Sequence, residues 1–227
     1  MSTRLRVYKR SFVENKRYMQ TKLDTQFAFP SELITAHQEI PIPEGFGKSV
    51  GERIDKKQFH IAGQPVLYTA HLPKILDWLH KLEQPSPLEK YPCEIPVLLY
   101  DSALSFDHLL FHYDGSPASA KIIKHFLYLF SDNLHESKAT IISPAFIPKS
   151  KLKEEQEIIQ EVTNCTSETS FIKFNFNRIG DFWSYAVKHQ VTMLVTTKNN
   201  QADLAKVLFH FYKGGLWYEK LSFYLAL

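Results

Sequence analysis

The chain has 227 residues, enough for one large domain or two small ones, and 44% of them are hydrophobic. This composition is typical of a globular protein with a sizeable core and excludes an intrinsically disordered chain. The 27 basic and 24 acidic residues leave a formal net charge of +3, so the strong basic excess typical of nucleic-acid-binding proteins is absent.

Neither the cysteines nor the apolar runs indicate export or membrane insertion. The two cysteines, Cys93 and Cys165, form no zinc-binding pattern and too few bridges for a secreted scaffold. The stretch MSTRLRVYKRSFVENKRYMQ has no apolar core of signal-peptide length, and no apolar run reaches the roughly 18 residues of a membrane span. We therefore expect a cytoplasmic protein that contacts neither membrane nor nucleic acid.

The first regular pattern along the chain lies between residues 65 and 100. It consists of a strand-like segment, a helix-like segment, a proline-rich connection and a second strand, at 65–70, 72–84, 85–92 and 94–100. Together they predict one β-α-β unit. The residues before 65, which include the segments FAFPSEL and IPIPEGFG, are interrupted by proline, so we interpret them as irregular.

From residue 108 onward, short apolar runs alternate with longer segments of helical spacing, as in a sheet with crossover helices. The predicted strands are 108–113, 139–143, 171–176, 191–196 and 221–227. The predicted helices are 117–130, 151–162, 180–189 and 203–212. Crossovers of this length predict an open, parallel five-stranded α/β sheet with helices on both faces.

Two of these helices carry specific signals. Ser116 is a predicted N-cap, and Pro117 follows it at the first helical position, where a missing N–H costs nothing. In the helix 151–162 the predicted apolar stripe is limited to Leu152, Ile159 and Val162, so we expect this helix to be mostly solvated.

The polarity of the strands predicts their order. The first, second and fourth strands carry little charge and suit the centre of a sheet. In the third strand apolar and polar residues alternate, and the fifth is the last predicted strand, so both suit the edges of the sheet. The order 3-2-1-4-5 meets these conditions. It places the switch point, where open α/β sheets bind their ligands, between strands one and four.

The predicted last strand, 221–227, would leave a row of unpaired backbone groups at the sheet edge. It could pair with the same strand of a second chain and form a homodimer. The aromatic anchors of such an interface would be Trp217, Tyr218, Phe223 and Tyr224. The strand could also pair within the chain with EIPVLLY at 94–100, an arrangement that we slightly favour.

The segment HLLFHYDGSPASAKIIKHFLYLF resembles the opening of universal stress protein domains, in which a first strand ends in Asp-Gly-Ser and leads into a helix. EIPVLLYDSALSFDHLLFHYDGS is similar to the junction between repeats in tandem members. The resemblance covers residues 96–227 in element order and implies a fold like that of the adenine nucleotide alpha hydrolases. It also implies a diverged, shortened first repeat at 1–100 and a universal stress protein-like α/β domain at 101–227.

In nucleotide-binding members of this family, the Asp of the first strand faces the adenine, and a glycine-containing loop after the fourth strand wraps the phosphates. Asp114 matches the first feature, but the chain has no glycine between Gly180 and Gly214. The resemblance therefore implies a vestigial nucleotide site. Its residues would be Asp114, Gly115, Ser143, Thr196, Thr197 and Asn199.

Charge at the start of the last predicted helix also opposes polyphosphate binding. Asp203 would occupy the helix N-terminus that a phosphate would otherwise use. Two like charges about 4 Å apart, at an effective dielectric constant of about 20, cost about 4 kcal/mol, or roughly three decades in affinity. Lys198 and Lys206 are expected to offset part of this cost.

We expect a non-enzymatic stress-response or regulatory protein that needs no cofactor and acts through protein contacts. The alternative is a binder of adenine nucleotides, ATP or AMP, that uses Asp114 and a rebuilt loop at 196–200. A third hypothesis is an acid/base enzyme that uses His112 and Asp114. We expect no metal site, because His108 and His112 would lie about 13 Å apart on a strand.

Overall fold

The computed structural model describes residues 23, 26–37, 65–101, 104–213 and 220–227, with the backbone alone for 211–213. The helices and strands in this part of the chain are β1 Ile34–His37, β2 Leu67–His71, α1 Leu72–Leu79, β3 Val97–Tyr100, β4 His108–His112, α2 Pro117–Phe130, β5 Lys138–Ser143, α3 Leu152–Cys165, β6 Glu168–Lys173, α4 Ile179–Lys188, β7 Met193–Thr197, α5 Gln201–Lys213 and β8 Ser222–Ala226. The IPIPEGFG segment and the predicted anchors Trp217 and Tyr218 lie outside the described residues.

The described strands form one mixed sheet of eight strands in the order β1-β2-β3-β8-β7-β4-β5-β6. The pairs β1–β2 and β3–β8 are antiparallel, and the other neighbouring pairs are parallel. The α/β class with a mostly parallel sheet is therefore confirmed. The five strands predicted after residue 108 lie side by side and parallel as β6-β5-β4-β7-β8, but the sheet is neither five-stranded nor wholly parallel, since β1, β2 and β3 extend it beyond β8. Strands from both sides of the predicted domain boundary near residue 100 join the same sheet. The boundary itself stays a prediction.

The strand β8 is an inner strand, so the prediction that it lies at an edge is wrong. It pairs with β7 on one side and with β3 on the other, where Leu225 lies opposite Val97 and Phe223 opposite Leu99. The internal pairing with EIPVLLY is thus confirmed. Both backbone sides of β8 are occupied within the chain, which removes the predicted homodimer through strand 221–227.

Side chains on both faces of β8 explain why it is an inner strand. Phe223 and Leu225 pack into the core between the sheet and α1, α4 and α5. Tyr224 and Ala226, which alternate with them, pack into the core between the sheet and α2 and α3. A strand that is apolar on both faces is typical of the centre of a sheet covered by helices on either side.

Two strands differ from the sequence interpretation. The strand β1 lies before residue 65, in the part of the chain predicted to be irregular, and it pairs antiparallel with β2. The strand β6 does lie at a sheet edge, as predicted, but it begins and ends three residues earlier than the predicted 171–176. Phe174 consequently follows the strand, and its side chain is 57% exposed.

The buried face of α3 is also different from the predicted one. The buried residues are Glu155, Ile158 and Val162, at helical spacing, whereas Leu152 is 43% exposed. The sequence pattern missed this face because a glutamate occupies one of its positions. The partners of Glu155 lie on two strands of the sheet, as described below.

Candidate functional site

The turn from β4 into α2 is closed by hydrogen bonds around Asp114. Its Oδ1 accepts from the backbone N–H of Ser116 at 2.8 Å and from the hydroxyl of Ser119 at 2.6 Å. Ser116 is the N-cap, and its Oγ accepts from the N–H of Ser119 at 3.1 Å. Gly115 has φ of +80°, the left-handed region that favours glycine. The Asp-Gly-Ser sequence therefore builds this turn locally.

The protonation state of Asp114 follows from the same contacts. Partial burial acts to raise its pKa, but the hydrogen bonds from Ser116 and Ser119 and the nearby His112 outweigh it and lower the pKa below the usual value. The Asp114 side chain is exposed and charged at neutral pH. One of its two oxygens is committed to the turn.

At the switch point between β4 and β7, the polar side chains bond to one another. His112 Nδ1 lies 2.9 Å from Thr196 Oγ1, and the Asn200 amide donates to Thr196 Oγ1 at 3.0 Å and to Thr197 Oγ1 at 3.3 Å. The His112 ring also lies against Phe182, with 4.2 Å between ring centroids. Burial lowers the pKa of His112, and the opposing effect of Asp114 is smaller, so the ring is neutral at pH 7.

Ser143 belongs to a different group on the other face of the sheet. Its hydroxyl donates to Glu155 Oε1 at 2.6 Å, and Lys173 contacts both that carboxylate and, at 3.3 Å, the Ser143 Oγ. Ser143 shares its face of β5 with Ile141, in the core with α2 and α3, whereas Thr196 shares its face of β7 with Leu194, in the core with α4 and α5. The structure therefore does not bring Ser143 together with Thr196.

The loop after β7 is held by Lys198, whose side chain is fully buried. The Lys198 ammonium donates to Glu89 Oε1 at 2.9 Å and to the backbone carbonyls of Cys93 and Ile95 at 2.9 and 2.7 Å. All three donors of the ammonium are thus used. The expectation that Lys198 offsets charge at a phosphate site is wrong, because its side chain turns into the protein toward the connection between α1 and β3.

Further contacts fix the same connection. Glu89 accepts from the Gln26 amide at 3.0 Å, and its backbone N–H donates to Gln201 Oε1 at 2.9 Å. Gln201 is the first residue of α5, directly after the 3-10 turn at 198–200. Sequence reasoning missed Glu89 and Gln201, and no local signal marks them, since Glu89 and Lys198 lie 109 residues apart in the chain.

The remaining predicted residues at this loop are exposed. Asn199 is exposed, and Asp203 in the first turn of α5 pairs with Lys206 at 3.1 Å. These two side chains are 49% and 60% exposed, so the pair is screened by water. Lys206 thus lies beside Asp203, where it offsets part of the Asp203 charge.

The described residues offer no group of three or more His, Cys, Asp or Glu side chains that could hold a metal ion. His108 has its own partners, since Nε2 lies 3.1 Å from Thr140 Oγ1 and Nδ1 lies 3.0 Å from the carbonyl of His189. Within the described ranges, no helix is both long and apolar enough to cross a membrane.

We expect the protein to lose stability in mild acid. Burial lowers the pKa of His37, His108, His112 and His125 below the ordinary value of 6.5. As the pH falls below about 6.5 the unfolded chain binds protons that the folded chain does not, so the free energy of unfolding decreases until the lower folded-state pKa values are passed. Urea unfolding at about pH 7.5 and about pH 5.5 measures this difference.

The matched variant for this prediction is His112→Gln. It removes one titrating ring, so the difference in free energy of unfolding between the two pH values should be smaller than in the wild type. Equal stability of the wild type at both pH values would contradict the prediction.

No protein-family model matches the chain, and a search of curated proteins finds no match. Solved structures that it resembles include a universal stress protein in complex with cAMP, at 12% identity and a TM-score of 0.35, over 49% of this chain and 88% of that one. A universal stress protein family member from Burkholderia pseudomallei matches at 10% identity and a TM-score of 0.33, over 48% and 91% of the two chains.

A universal stress protein from Archaeoglobus fulgidus matches at 10% identity and a TM-score of 0.39, over 59% of this chain and 50% of that one. The chain is therefore similar to structures of the family that its Asp-Gly-Ser segment resembles. The identities and TM-scores are low, and the contacts described above are this chain's own.

Proposed function

We propose that the chain is a universal stress protein-like, non-enzymatic protein with a degenerate nucleotide site, which acts through protein contacts in stress response or regulation. The observation that carries the proposal is the burial of Lys198. A polyphosphate site after β7 would need cations and free backbone N–H groups near the start of α5. Here the cation of the loop, Lys198, is buried, and its ammonium donates to Glu89 and to two backbone carbonyls.

The neighbouring groups support the same conclusion. The loop at 198–200 is a 3-10 turn without glycine, tied at Lys198 and Gln201 to the connection that contains Glu89. The first exposed charged group after the turn is the Asp203 carboxylate, which repels a phosphate, and Lys206 already pairs with it. Rebuilding the loop around a triphosphate would break the buried contacts of Lys198.

The absence of enzymatic activity is proposed on related grounds. An acid/base group must reach a substrate with the atom that transfers the proton. His112 Nδ1 is occupied by Thr196 and Asn200, and Asp114 Oδ1 is occupied by Ser116 and Ser119. One proton-accepting atom of each group is therefore used to hold the end of β4 in place.

Isothermal titration with ATP and with AMP tests the proposal. We expect no binding at micromolar concentrations by the wild type or by Asp114→Ala. Micromolar binding by the wild type that Asp114→Ala abolishes would replace this proposal with the adenine-nucleotide alternative. Turnover of a nucleotide by the wild type that is lost in Asp114→Asn would instead favour the enzyme hypothesis.

A further inference from the structure

Among the described strands, β6 lies at an open edge of the sheet. Among the described residues, β6 pairs with β5 alone, over six residues from Glu168 to Lys173, and no described strand lies beyond it. The strand contains neither proline nor glycine, and its charged residues stand only at its two ends. Such an edge presents unpaired N–H and C=O groups, and proteins commonly protect these groups unless they bind another strand.

Exposed apolar side chains lie at the carboxyl end of this edge. Phe146 is 84% exposed and Phe174 is 57% exposed. Their loops are joined, because the N–H of Phe174 donates to the carbonyl of Ser143 at 2.8 Å and the N–H of Ala145 donates to Asn175 Oδ1 at 2.9 Å. Leu152, at the start of α3, is also exposed. We call Phe146 and Phe174 the aromatic patch.

The segments that carry the aromatic patch are basic. Residues 144–153 and 173–178 contain five cations and no carboxylate, namely Lys149, Lys151, Lys153, Lys173 and Arg178. Lys151, Lys153 and Lys173 pair with glutamates of α3. The side chains of Lys149 and Arg178 are exposed and form no salt bridge in the part of the chain that the structure describes, although the backbone N–H of Arg178 donates to the Asp181 carboxylate at 3.1 Å. The surroundings of the patch therefore favour an anionic partner.

We propose that the open edge of β6 and the aromatic patch bind an extended, acidic segment of a partner protein, which adds a strand to the sheet beside β6. Main-chain hydrogen bonds to β6 would supply affinity, as in other cases of strand addition. Apolar side chains of the segment would contact Phe146 and Phe174, and its carboxylates would lie near Lys149 and Arg178. The proposal rests on the proposed function, since it names the surface through which protein contacts are made.

Selection of random octapeptides displayed on phage against the full-length chain tests this proposal. We expect the enriched peptides to alternate apolar or aromatic residues with Asp or Glu. A fluorescent synthetic copy of an enriched peptide should bind at least about tenfold more weakly to the double variant Phe146→Ser/Phe174→Ser. The control Tyr91→Ser removes another exposed aromatic ring, 75% exposed and outside the patch, and should bind like the wild type.

Amide hydrogen exchange provides the readout for strand addition. Binding of the peptide should slow exchange in residues 168–173, since these backbone groups would gain partners. Failure to enrich acidic peptides, unchanged binding by the double variant, or unchanged exchange in 168–173 would each overturn the proposal. Binding of a dT12 oligonucleotide or of anionic phospholipid vesicles that is lost in the double variant would also overturn it, in favour of a different class of partner.

The two proposals fail in distinguishable ways. Micromolar ATP binding by a chain that also selects acidic peptides would contradict the degenerate nucleotide site alone. A chain that binds neither nucleotide nor acidic peptide would contradict the strand-addition surface alone.

Discussion

Replacing Lys198 with methionine is expected to lower the free energy of unfolding by about 3–5 kcal/mol. The variant leaves Glu89 buried at 2% side-chain exposure without its cation, and the carbonyls of Cys93 and Ile95 lose their donor. A buried charge without a partner costs far more than a lost surface contact. Urea unfolding followed by far-UV circular dichroism measures the change.

The matched control is Lys206→Met, which removes the other lysine of the same region. Its pair with Asp203 is largely exposed, so the expected change is within about 1 kcal/mol. Adding Glu89→Leu to Lys198→Met should restore part of the lost stability, because it removes the uncompensated carboxylate. A Lys198→Met variant as stable as Lys206→Met would show that the buried pair does not hold the loop.

Phe126→Ala is expected to destabilise the protein by a similar amount, about 3–5 kcal/mol. Phe126 is fully buried on α2, and its ring lies 5.7 Å from Phe111, 5.0 Å from Phe130 and 5.1 Å from Tyr224. Truncation leaves a cavity among these aromatic rings. The rings cannot fill the cavity without giving up their present packing contacts. The midpoint and slope of urea unfolding give the change in free energy.

Tyr128→Ala, two residues further along α2, is the control for Phe126→Ala. Tyr128 is 40% exposed on the other side of the helix, and we expect its replacement to cost much less than that of Phe126. Equal losses for the two variants would mean that α2 does not bury the face assigned to it.

Several features of the fold and of the candidate site could be predicted because their causes are local in the sequence. The cap of α2 and the Asp-Gly-Ser turn depend on residues two to five positions apart, and the structure shows the predicted cap at Ser116. The predicted helices and strands after residue 108 are present, with shifted ends, because apolar spacing alone distinguishes a helix from a strand. The edge position of β6 followed from its alternating polarity.

The sequence by itself thus determined the α/β class, the turn at Asp114 and the strand β6 at an edge, since each depends on neighbouring residues. The tertiary structure alone decided that Lys198 is buried against Glu89, that Glu155 lies in the core beside Ser143, and that β1 extends the sheet. It also decided between the two pairings left open for β8. A charged residue reads as exposed in a sequence, and only a partner brought close by folding makes its burial favourable.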